Sequence, residues 1–417
     1  MIKFNIITSA LLILTFTVAG QKFEANYDES KVPAYTLPDP LIFKDGGKVQ
    51  NSKDWEKRRA EICSIFENEV FGIAPWWNGK MDQEVTNIYD DALSGTATMR
   101  EVKLTLRNGS KEHSFRLLLY LPKKMKKVPV FLGYNFNGNH TVTDDPNIRL
   151  ADIWPRAQAR GPVKGMESER GSSYSNWQVK ELISNGYGLA TIYYCDIDPD
   201  FDDGFKNGVH SLFGQTPDDK SWGSIAAWAW GLSRALDYLE TVPGVDARKV
   251  AVFGHSRLGK AALWAGATDK RFAMVISNNS GCGGAALSKR IYGETVGSIN
   301  RAFPHWFCEN YNKYNENEAG LPVDQHELLA LIAPRPLYVA SAQDDQWADP
   351  KGEFLSCVAA SPVYELLGKE GFPAKEMPAV NTPVIGSIGY HMRTGGHDVT
   401  LYDWQQYIRF ADKYLKK

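Results

Sequence analysis

The chain has 417 residues, of which 43% are hydrophobic and 12% aromatic, and a formal net charge of −2. That length suits one large domain or two small ones, and the dispersed lysines and arginines leave no basic stripe for nucleic acid or an anionic membrane. Five cysteines, Cys63, Cys195, Cys282, Cys308 and Cys357, have neither CxxC nor zinc-finger spacing, and their odd number leaves at least one thiol outside any internal disulfide.

Residues 1–20 (MIKFNIITSALLILTFTVAG) place Lys3 before an apolar run from Ile6 to Val18 and end in small residues, the pattern of a secretory signal peptide. The run is short for a membrane span, which needs about 20 apolar residues, and no Cys follows it to carry a lipid. An exported chain, periplasmic or secreted and not membrane-bound, is expected. Residues 21–96 read as a polar, Pro-rich segment packing on the main body, with a helix over Asp54 to Phe71. A catalytic domain is expected over 97–417. Alternating runs at Val102 to Leu106 and Ser114 to Leu121 predict paired strands. Further strands are expected at Val128 to Gly133, Gly188 to Tyr194, Val250 to Phe253, Phe272 to Ile276, Leu337 to Ala340 and Val384 to Ile388. Helices are expected at Trp177 to Asn185, at Ser224 to Glu240 and at Trp404 to Tyr414. Strands alternating with helices predict an α/β fold of the α/β-hydrolase type, a mainly parallel central sheet covered on both faces.

The stretch Val250-Ala251-Val252-Phe253-Gly254-His255-Ser256-Arg257-Leu258-Gly259-Lys260 joins an apolar strand, a Gly-x-Ser-x-x-Gly turn and a small-residue helix, the form of a nucleophile elbow. A serine hydroxyl needs a base to take its proton and an acid to orient that base, and in this fold the chain order is Ser, acid, His. His397, in Thr394-Gly395-Gly396-His397-Asp398 just before the closing helix, is the expected base; His305, His326 and His391 read as structural. At the end of the Leu337 strand, Asp344 and Asp345 compete for the acid, with Asp345 chosen and Asp349 read as a turn or cap residue. The amide of Arg257 and the loop Asn135-Phe136-Asn137-Gly138-Asn139 are candidates for an oxyanion hole.

Further segments follow in order: Ser280-Gly281-Cys282-Gly283-Gly284, Gly293-Glu294-Thr295 through His305-Trp306-Phe307, Leu331-Ile332-Ala333-Pro334-Arg335-Pro336, and Asp345-Gln346-Trp347-Ala348-Asp349-Pro350. With the elbow they resemble the glucuronoyl esterases, carbohydrate esterase family 15, in their bacterial form, over most of the chain from about residue 100. The resemblance implies cleavage of esters between the carboxyl of (4-O-methyl)glucuronic acid on xylan and lignin alcohols; no cofactor and a monomeric chain are expected. It makes Ser256 and His397 nucleophile and base and has Arg257 assist the oxyanion. It also has Lys260, Glu294 and Trp347 hold the uronic acid ring. Many members carry a Glu where this chain has Asn279, which closes that route to a triad; some bacterial members use the Asp two places before the binding Trp, here Asp345. His255 stands where fungal members have a Cys. An acetyl esterase acting on xylan and a carbohydrate-binding homologue with weak catalysis are the alternatives.

Other chemistries find little support. Asp196-x-Asp198-x-Asp200 opens like a calcium loop, but Phe201 stands where Gly is needed and Asn207 where the bidentate Glu belongs, so it reads as an acidic loop at the sheet edge. No HExxH, Walker or strand-linked Gly-x-Gly-x-x-Gly sequence occurs.

Overall fold

A computed structural model describes residues 23–155, 161–214 and 217–416; the expected export signal lies outside them. The first long helix, α1 (Ser52–Glu69), begins two residues before its expected start because the Asn51 side chain accepts the amides of Lys53 and Asp54. It buries Trp55, Arg58, Ile62 and Phe66, a spacing of three and four that puts all of them on one face.

Among the described residues ten strands make one sheet. They are β1 (Lys80–Asp91), β2 (Ala97–Asn108), β3 (Lys111–Pro122), β4 (Val128–Asn135), β5 (Gly188–Tyr193), β6 (Val245–His255), β7 (Met274–Asn278), β8 (Leu337–Ala342), β9 (Val384–Ile385) and β10 (Ile388–Arg393). The spatial order is β1-β2-β3-β5-β4-β6-β7-β8-β10-β9. Pairing is parallel from β5 through β10 and antiparallel at both ends. The expected boundary at residue 96 falls between β1 and β2, which pair from Lys80↔Arg107 to Tyr89↔Met99.

Alternation along the central strands feeds two cores. Val130, Leu132, Val250, Val252, Val275, Leu337 and Val339 join the core under α1, α2 (Ser224–Leu239), α3 (Arg257–Thr268) and α4 (Pro350–Leu366). Their neighbours Phe131, Ala251, Phe253, Met274, Ile276, Tyr338 and Ala340 join the other core, with Trp404 and Tyr407 of α5 (Leu401–Leu415). Helices therefore cover both faces, as the alternation of elements predicts.

Two of the expected elements are built differently. The helix expected over Trp177 to Asn185 is broken at Gln178, whose φ is 45°, into Tyr174–Trp177 and Val179–Ser184. The last parallel strand is β10, not Val384 to Ile388; that apolar run straddles a tight turn in which the Gly386 amide donates to the Ile388 carbonyl. All five cysteines are free, Cys63 half-buried and the others buried. Among the described residues no helix is long and apolar enough to cross a membrane.

Candidate active site

Ser256 sits between β6 and α3 at φ 58°, ψ −130°, a conformation that costs a non-glycine residue on the order of 1–3 kcal/mol. The turn is tight enough that a Cβ on Gly254 would fall 1.9 Å from the Leu258 carbonyl oxygen, so the glycine is required. The Ser256 amide donates to the Asn278 carbonyl (2.9 Å) at the end of β7. These contacts put the Ser256 side chain at the C-terminal edge of the sheet, beside the first amides of α3, where negative charge is favoured.

The loop before α5 carries His397 to the same edge, and its Nδ1 lies 2.6 Å from Asp345 Oδ2. Asp345 is buried while the imidazole is 43% exposed, so the ring is anchored from beneath and its Nε2 is left toward the cleft. Asp344, the rival in sequence, is exposed. Asn279 donates its Nδ2 to Asp345 Oδ2 (2.7 Å): the residue that cannot be a charged acid holds the one that is. Burial would raise the Asp345 carboxyl, but the hydrogen bond and charge of His397, with the Asn279 amide, hold it below the ordinary range. Asp349 caps α4 through the Gly352 amide (2.9 Å) and accepts Arg290 Nε (2.8 Å), as its turn-or-cap reading implies.

His255, the last residue of β6, packs its ring 4.5 Å from that of His397. Asn278 donates its amide nitrogen to Tyr407 Oη (2.7 Å), so its oxygen faces His255 Nδ1 (2.6 Å) and that nitrogen carries the proton. Burial pushes the imidazole down to about 3, helped by the neighbouring His397, which keeps it neutral. His391 and His326 are buried and structural, bonded to Asp403 and to the Pro38 carbonyl.

Arg257 opens α3, and its Nη1 is paired with Asp200 Oδ2. Asp200 also accepts from His305 Nε2 (3.0 Å), Trp306 Nε1 (2.8 Å) and Tyr194 Oη (2.8 Å). Burial would raise this carboxyl, yet the donors and the guanidinium hold it far below the carboxylate range. The guanidinium lies over the Trp306 ring at 4.7 Å, and its buried Nε has no hydrogen-bond partner among the described residues. The acidic loop is thus no cation loop, because its carboxylates turn to different partners: Asp196 to the Arg116 amide, Asp198 to Ser224 and His210, and Asp200 to Arg257. Sequence reasoning did not single out Asp200, and His305, read as structural, is one of the donors that hold this carboxylate.

The Lys260 ammonium, buried one turn along α3, donates to the carbonyls of Ser280 (2.5 Å) and Cys282 (2.6 Å) and lies 3.5 Å from Glu294. Burial raises the Glu294 carboxyl against the pull of Lys260. The Glu294 amide donates to the Trp347 carbonyl (3.0 Å), and the Trp347 side chain is 41% exposed. Lys260, Asn279, Glu294, Trp306, Asp345 and Trp347 line a hollow of about 340 Å³ that opens onto Ser256, Arg257 and His397. A second hollow of about 370 Å³ meets the same three residues on the side of Phe136 and Asn137. Every site residue expected from the sequence therefore lies around one cleft.

Compared with known proteins, residues 183–368 match the family model described as glucuronyl esterase, fungi. A carbohydrate esterase from an unknown prokaryotic organism is 48% identical, with 98% of this chain and 96% of that protein covered. The chain belongs to the glucuronoyl esterase family, carbohydrate esterase family 15. Within this family, 4-O-methyl-glucuronoyl methylesterase 1 of Wolfiporia cocos (strain MD-104) is 30% identical over 81% of this chain and 74% of its own. The solved structure of a glucuronoyl esterase from Solibacter usitatus is similar at a TM-score of 0.87 and 51% identity, covering 92% of this chain and 99% of that one. The fold is accordingly that of the α/β-hydrolases, and the protein is an esterase of this family.

Proposed function

We propose that this esterase hydrolyses alkyl and aryl-alkyl esters of glucuronic acid, including the 4-O-methylated sugar of glucuronoxylan, through an acyl-enzyme on Ser256. The observation that carries the reading is the 2.6 Å Asp345–His397 pair beside the strained Ser256, with the Lys260–Glu294 pair one helical turn away. In this mechanism His397 Nε2 takes the Ser256 proton as Oγ attacks the ester carbonyl carbon. The resulting oxyanion lies toward the amide of Arg257 and its guanidinium. Collapse breaks the carbonyl–alkoxy bond, and His397 returns the proton to the departing alcohol. Water, deprotonated by the same imidazole, then releases the uronic acid. Asp345 keeps Nδ1 protonated and stabilises the imidazolium. Lys260 and Glu294 offer a donor and an acceptor to the sugar hydroxyls, and Trp347 offers an apolar face to the ring. An exported enzyme acting on cell-wall polymer is in keeping with the export-signal pattern read in the sequence of residues 1–20.

The test is hydrolysis of benzyl glucuronate by the purified protein, beside Ser256→Ala, Asp345→Ala and acetylated xylan. The expected result is turnover of the glucuronate ester, a loss of at least about 10⁴-fold in kcat for Ser256→Ala and a smaller, still steep loss for Asp345→Ala. Release of acetate alone would refute the uronate reading.

A further inference from the structure

The two segments that carry Glu294 and Trp347 are held together by a third that the catalytic cycle does not use. Residues 23–29 cross both. The Gly293 amide donates to the Asn26 carbonyl (2.9 Å) and Asn26 Nδ2 to the Ile291 carbonyl (3.4 Å). Tyr292 Oη donates to Gln346 Oε1 (2.6 Å) and lies 3.2 Å from the Tyr27 carbonyl oxygen. Glu29 then bridges Arg290 (2.6 Å) and Lys351 (2.7 Å), one residue on each side of the pair of segments. At the head of this strap the Phe23 ring meets the Trp347 indole edge-on, with centroids 6.3 Å apart and planes at 84°.

Trp347 is among the few large aromatic side chains that are strongly exposed. Its backbone is fixed by the Glu294 amide, but an exposed indole on a short loop retains rotamer freedom that a ligand must remove. An edge-to-face contact constrains such a ring while leaving a face free. We infer that residues 23–29 brace the two segments behind the sugar subsite and that Phe23 is a positioning residue which sets the Trp347 indole against the uronate ring. This rests on the uronate reading of the hollow lined by Lys260, Glu294 and Trp347. The contact acts on sugar binding alone, remote from the ester bond, so it stabilises ground state and transition state alike and belongs in KM.

The test compares the full chain with Phe23→Ala and Phe23→Tyr on two substrates, benzyl glucuronate and 4-nitrophenyl acetate, the latter having no sugar to reach Trp347. Phe23 is itself exposed, so folding does not depend on it. Expected for Phe23→Ala is a ~3- to 10-fold rise in KM for the glucuronate ester with kcat within ~2-fold, unchanged acetate kinetics, and recovery in Phe23→Tyr. An unchanged KM, or equal losses on both esters, would overturn the role of Phe23 while leaving the uronate reading standing. A wild-type protein that cleaves the acetate but not the glucuronate would instead overturn the uronate reading, and this inference with it.

Discussion

The Arg257 guanidinium reaches the cleft only because a buried carboxylate with three other donors holds it there. Replacing Asp200 by Asn keeps the shape but removes the countercharge, and a buried cation that loses its partner costs about 3–5 kcal/mol. The expected outcome for Asp200→Asn is a lower melting temperature together with a ~10- to 100-fold fall in kcat, larger than any change in KM, since charge develops on the oxygen only in the transition state. Steady-state kinetics and thermal unfolding check both. Ser256, His397 and Asp345 were legible in the sequence because each lies in a short motif tied to a strand end. Asp200 was not, because its partners are 57 residues away at Arg257 and 105 away at His305; a carboxylate in an acidic run looks solvated until the fold turns it inward. Asn279 misleads in the other direction, reading as a lost acid when its amide steadies the Asp345 carboxylate.

At the level of elements, the elbow is where strand, turn and helix constrain one another most. With 1.9 Å between a Cβ on Gly254 and the Leu258 carbonyl oxygen, strand β6 and the first turn of α3 have to separate to admit any side chain. Gly254→Ala is therefore expected to destabilise the protein by more than about 3 kcal/mol, beyond the usual range for overpacking, which denaturant unfolding would measure. The central strands were legible because both faces are buried and they read as apolar runs. The edge strand β1 was not, since ten of its twelve residues are exposed and it shows no alternation to detect; its charges suit an edge that must not pair with another chain. The break at Gln178 was also hidden, because a non-glycine residue at φ 45° is imposed by packing on either side rather than announced by composition.

Across the whole molecule, a buried carboxyl ties α4 and the central sheet to the active-site edge. Glu353 of α4 accepts the amides of Ser280 (2.8 Å) and Gly281 (3.0 Å) with one oxygen and lies 2.5 Å from Ser341 Oγ with the other, joining helix, sheet and the loop that carries Asn279. Burial pushes it up from 4.5 to about 8, against the opposing pull of the Ser341 hydroxyl and the Gly281 amide. The folded protein thus holds a proton that the unfolded chain releases. This contribution to stability is complete below the unfolded value of 4.5 and is lost as pH rises through about 8. Glu353→Gln keeps an acceptor for the amides and a donor for Ser341 without titrating, so wild type should lose melting temperature relative to this variant as pH rises from about 4.5 to about 8 and run parallel to it above that. The five cysteines bear on the molecule as a whole in another way. Burial raises all five thiols, Cys63 and Cys308 to about 11 and Cys195 to about 12, so none offers the thiolate that exchange and oxidation require. With no disulfide among the five, the covalent framework that holds the catalytic edge contains no cross-link for a reductant to cut.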